Sequence, residues 1–227
     1  MRILGIIAAL LLTFSLPVFL AGSNLRYLAS ELRFYEYAFD KYQVEEATGL
    51  DEAELKRAAE TLISYFNSDE ELRIRVTLAG QERDLFNERE VAHLKDVKDL
   101  LQLCNRVQEF ALGGVVLSVA LALAGGAFWR SLARGVLGAA ALTLAALAIL
   151  GIGVALDFPR LFLQFHFVSF TNELWRLDPA RDYLIRLFPE GFFFEATLFI
   201  IGATALEALI LGAAAWAYLR LRKRWHR

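Results

Sequence analysis

The chain has 227 residues, of which 57% are hydrophobic and 22% are charged, and its formal net charge is -2. This composition is typical of a small integral membrane protein, and the lack of a positive net charge argues against a nucleic-acid partner. The single cysteine, Cys104, excludes an internal disulfide, so packing and the membrane must hold the fold together.

Four apolar runs organise the chain, because each is close to the ~20 residues that span a ~30 Å hydrocarbon core. They occupy residues 1–21, 110–129, 135–156 and 194–219. We therefore predict a mainly α fold, built on a bundle of four transmembrane helices. The first run also resembles a signal peptide, with Arg2 ahead of it and Leu20-Ala21-Gly22-Ser23 at its end, but its length favours an uncleaved anchor.

Lysine and arginine near these runs predict the orientation of the chain. The short connection 130–134 carries two arginines, and the tail 220–227 carries five basic residues. Basic residues beside membrane spans are retained in the cytoplasm, so both termini are expected there. Two segments, 22–109 and 157–193, are then expected on the opposite side of the membrane.

The first outward segment has the pattern of a mostly helical domain. Asp51 and Glu54 form a capping box, which predicts a helix over residues 52–66. Apolar and polar residues then alternate from Leu72 to Leu78, as in a half-buried strand, and Ala79-Gly80-Gln81 has the pattern of a turn. We therefore expect a small β-hairpin after the helix.

A second helix start precedes the second apolar run. Asn87 and Glu90 form another capping box, so a helix is expected from Glu88 onward into the membrane. Residues three and four apart share one face of a helix, which places His93 on the stripe of Glu90, with Asp96 one turn from His93. His93 is either a surface histidine on a solvated helix or a functional group beside carboxylates.

The second outward segment is rich in phenylalanine, which favours a position at the level of the lipid headgroups. His166 lies among these rings, where a polar side chain is usually paired or functional. Asp178-Pro179 has the pattern of an N-cap before a proline and predicts a short helix over residues 179–188, so Asp178 is either a cap or a catalytic group. Two further polar side chains follow His166, namely Asn172 and Trp175.

Two histidines on separate outward segments suit acid–base chemistry. The sequence has no Gly-x-Ser-x-Gly elbow, no Gly-rich phosphate loop and no His-Glu-x-x-His. A covalent acyl-enzyme is therefore not expected, whereas general acid–base catalysis by His93 and His166 is sufficient for acyl transfer. A zinc site with His93, Asp96 and His166 as ligands stays open as an alternative, although no standard ligand spacing is present. No cofactor is otherwise expected.

Two blocks of sequence carry a family resemblance. One is Glu90-Val91-Ala92-His93-Leu94-Lys95-Asp96-Val97, ahead of the second run. The other contains Phe165-His166-Phe167, Asn172-Glu173-Leu174-Trp175, Leu177-Asp178-Pro179, Asp182-Tyr183-Leu184-Ile185 and Pro189-Glu190-Gly191-Phe192-Phe193. Together with the four runs and the large first outward segment, these blocks resemble the lipoprotein intramolecular transacylase family, Lit. Glu173 departs from the family pattern, in which an aspartate commonly follows the asparagine.

The resemblance implies a bacterial acyltransferase of the plasma membrane with its active site on the extracytoplasmic face. Its substrate would be a lipoprotein whose N-terminal cysteine carries a diacylglyceryl thioether. The sn-2 acyl chain would move to the α-amino group of that cysteine and leave an N-acyl S-monoacylglyceryl lipoprotein. His93 and His166 are the expected catalytic residues, with His166 as the base because its aromatic surroundings favour a neutral imidazole. The expected orienting or substrate-binding residues are Glu90, Asp96, Asn172, Trp175 and Asp178.

We expect the enzyme to be a monomer in contact with membrane lipid. Two other classes of function stay open from the sequence. One is a non-catalytic membrane protein that binds or senses a ligand, and the other is a zinc-dependent interfacial hydrolase. The fold alone does not distinguish among them.

Overall fold

The structure is a computed structural model that describes residues 2–78, 80–126 and 128–224, so the end of the basic tail lies outside the described residues. Eight helices and two strands follow one another in this part of the chain: α1 (Arg2–Ser30), α2 (Leu32–Lys41), α3 (Val44–Thr48), α4 (Glu52–Asn67), β1 (Arg75–Leu78), β2 (Gln81–Asp84), α5 (Glu88–Ala124), α6 (Phe128–Ser169), α7 (Leu184–Leu187) and α8 (Glu190–Arg224). Helices α1, α5, α6 and α8 are long and apolar enough to cross a membrane. The chain is a multi-pass membrane protein with a mainly α fold, which confirms the predicted fold class.

The chain forms two compact units, each built from separate stretches of sequence. The first unit contains the described parts of residues 1–25, 104–156 and 198–227, and the second contains those of residues 26–103 and 157–197. The first unit therefore holds the apolar parts of the four long helices. The second unit holds α2 to α4, the hairpin, α7, the start of α5 and the end of α6.

Small and polar residues join the long helices of the first unit. A side chain on Gly135 would fall 2.9 Å from the main-chain oxygen of Ala9, so α1 and α6 approach closely only because this residue is glycine. Close contacts at small residues are common between helices in membranes. The side-chain amide of Asn24 donates to Thr204 (3.0 Å) and to Glu207 (2.9 Å), which links α1 to α8.

The junction between α5 and α6 differs from the sequence prediction. α5 ends at Ala124 and α6 begins at Phe128, so the predicted connection 130–134 lies inside α6. The turn includes Gly125 and Gly126, and Gly126 has a φ of 71°, a conformation that favours glycine after a helix. The glycines, rather than the arginines that follow, end the helix.

α6 has one break, at Asp157, whose φ of -161° and ψ of 78° are not helical. Pro159 follows it and lacks the main-chain N–H that would complete a helical hydrogen bond across the break. The Asp157 carboxylate accepts from the N–H of Arg160 (3.1 Å) and caps the residues that follow. The third apolar run of the sequence ends at this break.

The second unit has a hydrophobic core, and both of its sequence stretches contribute side chains to that core. Helices α2 to α4 and the hairpin supply side chains from the first stretch, and α7 and the start of α8 supply them from the second. Only half of the capping box predicted at the start of α4 forms, because Asp51 Oδ1 accepts from the N–H of Glu54 (2.8 Å) but the Glu54 carboxylate accepts from the N–H of Thr77 (2.8 Å) rather than from that of Asp51. α4 ends at Asn67, one residue beyond the predicted helix.

The predicted hairpin is confirmed, but its first strand is shorter than the alternating pattern. β1 pairs antiparallel with β2, with Leu78 opposite Gln81. Gly80 in the turn has a φ of 78°, which suits glycine, and Ala79 beside it lies outside the described residues. Leu72 and Ile74 are buried ahead of β1, so the alternation continues through extended residues that precede the paired strand.

The helix predicted over residues 179–188 is wrong in length, because α7 covers only Leu184–Leu187. Ahead of α7, the main-chain oxygen of Asp178 accepts from the N–H groups of Arg181 (2.9 Å) and Asp182 (2.8 Å). The Asp182 carboxylate accepts in turn from the N–H of Asp178 (2.7 Å). These bonds close a tight turn in place of the first helical residues that the pattern predicts.

Candidate active site

His93 lies on the first part of α5, which begins with a reciprocal cap. The N–H of Asn87 donates to Glu90 Oε2 (2.8 Å), and the Asn87 side-chain oxygen accepts from the N–H of Glu90 (3.1 Å), which confirms the second capping box. α5 has 37 residues, which corresponds to about 55 Å at ~1.5 Å per residue. It is therefore longer than the ~30 Å hydrocarbon core of a membrane, and its charged first part accounts for the extra length. His93 is only 6% exposed, which contradicts the solvated surface histidine considered from the sequence.

His166 lies near the end of α6 and packs beside His93. The centroids of the two rings are 6.4 Å apart, and the ring planes meet at 32°. Phe170 packs against both, at 5.1 Å from His93 and 5.8 Å from His166. The two histidines, which come from separate stretches of the chain, are therefore neighbours in one aromatic cluster.

A hydrogen bond determines the tautomer of His166. Its Nδ1 lies 2.8 Å from the main-chain oxygen of Phe162. A carbonyl oxygen only accepts, so Nδ1 carries a proton, and Nε2 of the neutral ring keeps its lone pair. The rings of Phe162 and Trp175 pack against the imidazole, at 4.5 Å and 4.9 Å. His166 is thus held with one basic nitrogen available.

His93 is a neutral imidazole at pH 7. Its pKa is lowered to about 4, first by burial and then by the proximity of His166, whereas Asp96 acts in the opposite direction. Its Nδ1 is buried, and no hydrogen-bond partner reaches it from the described part of the chain. A buried polar atom without a partner is uncommon, so this nitrogen retains an unused capacity for a hydrogen bond.

Asp96, Asn172 and Trp175 form one connected group beside the histidines. The Asn172 side-chain amide donates to Asp96 Oδ2 (2.8 Å), and its side-chain oxygen accepts from the N–H of Leu174 (3.0 Å). The main-chain oxygen of Asn172 accepts from the indole N–H of Trp175 (2.9 Å). These bonds order the loop that brings the Trp175 ring onto His166.

Glu90 and Asp178, which we predicted as orienting or substrate-binding residues, both accept hydrogen bonds from main-chain N–H groups. Glu90 is 1% exposed and accepts from Leu184 (2.7 Å) as well as from the start of α5, so it caps α5 and α7 together. Burial raises the pKa of Glu90. Asp178 accepts from the N–H of Ala180 (2.9 Å) and stabilises the turn before α7. Glu90 thus acts as a cap, and Asp178 accepts in addition from the Arg181 guanidinium (3.1 Å).

Arg89 contacts the site and was not predicted from the sequence. Its guanidinium donates to the main-chain oxygens of Glu173 (2.6 Å) and Leu174 (3.4 Å). These residues belong to the loop that carries Asn172 and Trp175, so Arg89 ties that loop to the start of α5. Every residue has a main-chain oxygen, and no side-chain pattern could have indicated this contact.

The zinc alternative gains no support from the geometry. Within residues 2–78, 80–126 and 128–224, no group of three His, Cys, Asp or Glu side chains is placed to hold a metal ion. Asp96, the third ligand of that hypothesis, accepts a hydrogen bond from Asn172. What the arrangement offers is the neutral imidazole of His93 beside a second imidazole, His166, whose Nδ1 is bonded to a carbonyl oxygen, among aromatic side chains.

Comparisons with known proteins bear on the whole chain. The sequence model of the family described as lipoprotein intramolecular transacylase Lit matches residues 10–193. No curated protein matches the chain. The in meso structure of the membrane integral lipoprotein intramolecular transacylase Lit from Bacillus cereus is similar, with a TM-score of 0.81 and 20% identity over 96% of each chain.

Two variants of the Bacillus cereus protein, with one histidine replaced by arginine or alanine, each give a TM-score of 0.77 at 20% identity. The aligned parts cover 97% of this chain and 93% of the arginine variant, and 96% of this chain and 94% of the alanine variant. At this level of identity, the solved structures show a shared fold.

Proposed function

The chain belongs to the lipoprotein intramolecular transacylase family, Lit, and is an acyltransferase, and we propose that it moves one acyl chain within a single lipoprotein molecule. The group that moves is the sn-2 acyl chain of the diacylglyceryl cysteine. The acceptor is the α-amino group of the same cysteine. The product is an N-acyl S-monoacylglyceryl lipoprotein, and no cofactor takes part.

The reaction exchanges an ester bond for an amide bond. The α-amino nitrogen attacks the ester carbonyl carbon, the new C–N bond forms, and the bond to the sn-2 oxygen of glycerol breaks. The proton that leaves the nitrogen ends on that oxygen, so no further reactant is needed. The nucleophile and the ester belong to one molecule, and well-oriented intramolecular reactions reach effective molarities of about 10⁵ to 10⁸ M.

We assign His166 as the base. The α-amino group has an ordinary pKa of about 7.7 to 8.0, so much of it is protonated near neutral pH and must lose a proton before attack. Nε2 of His166 keeps its lone pair because Nδ1 donates to Phe162. His93 has a pKa of about 4, which makes it a weak base and suits it to donating a hydrogen bond to the oxyanion or the departing oxygen.

One observation carries this proposal: His93 and His166 come from separate stretches of the chain and lie with ring centroids 6.4 Å apart among aromatic side chains. An ester bound between the rings would have a base on one side and a hydrogen-bond donor on the other. The aromatic surroundings exclude competing water, which strengthens both interactions and disfavours hydrolysis.

The same proposal includes the location of the enzyme. We place both termini in the cytoplasm and the histidines on the extracytoplasmic face of the bacterial plasma membrane, where a mature lipoprotein presents its modified cysteine. Arg130 and Arg134, beside the α5–α6 turn, support this orientation. We propose that the enzyme acts as a monomer. Phe165 and Phe167 are 46% and 50% exposed, which supports contact with membrane lipid.

Tandem mass spectrometry of a lipoprotein N-terminal peptide tests the reaction. Cells with and without this gene should give peptides of equal mass, with an acyl chain on nitrogen only when the gene is present. A non-catalytic binding protein would leave the chain on glycerol in both strains, and a hydrolase would lower the mass by one acyl chain. Either of these results, obtained with folded protein in the membrane, would contradict the proposal.

A further inference from the structure

We propose that a groove in the second unit binds the polypeptide of the lipoprotein substrate in an extended conformation. The groove lies between one face of α5 and residues 69–75, which lead into β1, and we name it the α5 groove. This inference rests on the proposed function, because an enzyme that acts on a lipoprotein must accommodate the chain that continues from the modified cysteine.

The α5 groove has the dimensions of a binding site for an extended chain. Its volume is about 790 Å³, within the roughly 300 to 1,000 Å³ that is usual for ligand sites. The α5 wall runs from Glu88 to Gln102, which corresponds to ~21 Å at ~1.5 Å per residue. That length matches about six residues of extended polypeptide at ~3.3 to 3.6 Å each.

One wall of the groove presents main-chain groups that lack partners. At its two ends, the oxygen of Glu70 accepts from Lys98 Nζ (3.3 Å) and the oxygen of Ile74 accepts from the N–H of Leu85 (2.8 Å). Between them, no described residue makes a hydrogen bond with the main chain of residues 71–73. An extended stretch with unpaired N–H and C=O groups is a template for adding a strand from another polypeptide.

Lys98 supplies a second polar group that faces the groove. It is 8% exposed, its ammonium lies 4.2 Å from the centroid of the Tyr65 ring, and one N–H donates to Glu70. No carboxylate in the described part of the chain lies within 4.0 Å of it. A lysine ammonium has three donors, and burial without further partners is unfavourable. The carbonyl oxygen of a bound polypeptide would accept from one of the two remaining donors.

The charges of the groove favour a polypeptide over a lipid headgroup. Its lining side chains include six carboxylates and four cations, so the carboxylates are in excess and would repel an anionic phospholipid. The two signs are also mixed along the groove. Binding through main-chain hydrogen bonds, beside side chains of both charges, depends little on the sequence of the bound polypeptide. Such binding suits lipoproteins, which share a modified cysteine but differ in the sequence that follows.

The position of the groove determines which residues of the substrate reach it. Ala92 lines the groove, whereas the next residue, His93, faces Phe170 and His166. Neighbouring residues of a helix project ~100° apart, so a chain that leaves the histidines must pass about 10 Å around a helix of ~10 to 12 Å diameter. That distance requires about three extended residues, so the groove should bind residues from about the fourth position after the cysteine.

A length series of synthetic substrates tests this inference. The probes are diacylglyceryl-cysteine lipopeptides that end about two or about twelve residues after the cysteine. The blocking variant is Asp99→Trp, which puts a large ring into the groove, and Gln102→Trp repeats the block at a second position. Glu60→Trp is the matched control, because Glu60 is exposed on α4, is not part of the groove, and loses the same charge. Lys98→Met tests the donor separately.

For the long lipopeptide, we expect each blocking variant and Lys98→Met to raise KM about five-fold or more with an unchanged kcat. For the short one, both constants should match those of the wild type, and the control should match it for both lengths. Equal effects on the two lengths, or no effect on the long one, would overturn the inference. Failure of the wild type to shift the acyl chain in either substrate would instead overturn the proposed function.

Discussion

Asn172 donates a 2.8 Å hydrogen bond to Asp96 and thereby joins the loop after α6 to the helix that carries His93. The same loop holds the Trp175 ring 4.9 Å from His166. From the sequence we expected the Asn172 amide to orient an imidazole or to donate to an oxyanion. Its position instead indicates that it orders the loop whose tryptophan orients the imidazole.

The first prediction contrasts Asn172 with Asp178. Asn172→Ala removes the bonds to Asp96 and Leu174 and should lower turnover by roughly 10²-fold, because small displacements of catalytic groups are costly. Asp178→Ala removes a capping bond and should lower the free energy of unfolding by ~1 kcal/mol with turnover close to that of the wild type. Acyl transfer and thermal melting of the purified variants in lipid separate the two effects. A fully active Asn172→Ala protein beside an inactive Asp178→Ala protein with normal melting would reverse both assignments.

The second prediction concerns the two histidines as a pair. His93→Ala and His166→Ala should each abolish acyl transfer, and the double variant should be no worse than either single one, because the rings act on one substrate. Gln164→Ala is a suitable control, since Gln164 is exposed on the same stretch of α6. Rates should be measured on variants that remain folded in the membrane. Losses that multiply in the double variant would show that the histidines act independently.

The third prediction is a pH dependence of stability that belongs to His93. Its pKa of about 4 in the folded protein lies below its ordinary value of about 6.5, so between these values the unfolded chain binds more protons. The contribution of neutral His93 to the free energy of unfolding is therefore fully present above pH ~6.5. It is lost as the pH falls toward ~4, which lowers that free energy by up to ~3 kcal/mol. Unfolding of the wild type and His93→Gln should be followed across this range, and the variant should lack this part of the slope. Equal slopes in the two proteins would rule out His93 as the source.

The fourth prediction concerns the orientation in the membrane. Reporter fusions after Arg130 and after Arg227 should report the cytoplasm, and a fusion between Glu45 and Asp69 should report the exterior. The reason is that the basic residues near the spans are retained inside. Each fusion should be accompanied by an activity test, so that only inserted and folded protein is counted. A cytoplasmic signal from the Glu45–Asp69 region would remove the basis for an enzyme that acts on mature lipoproteins.

Much of the fold follows from patterns within a few residues. The N-cap bond of Asp51, the capping box at Asn87 and the alternation from Leu72 to Val76 involve neighbours in sequence, and all three are found in the structure. Each hydrogen bond or buried face is specified by residue types at fixed short spacings, so it can be predicted without knowledge of the rest of the chain.

What could not be predicted depends on contacts across long separations. The pattern at Asp178-Pro179 predicts a helix, but Asp182 bends back to the N–H of Asp178, and Glu90 from the other sequence stretch caps Leu184. Arg89 donates to main-chain oxygens that carry no side-chain pattern. The meeting of His93 and His166 was inferred from their chemistry and from the family resemblance, because periodicity places each on its own helix without showing which helices meet.

The second unit is built from two separate stretches of sequence, so its core can be completed only after the second stretch has been synthesised. When the ribosome has produced residues 26–103, the core of that unit still lacks Leu184, Leu187 and Phe192, which come from the second stretch. The unfinished core therefore exposes apolar side chains while two further long helices are made, and such exposure favours aggregation or capture by chaperones. His93 and His166 can meet only after α6 has been made, so a nascent chain that ends before this helix cannot carry out acyl transfer.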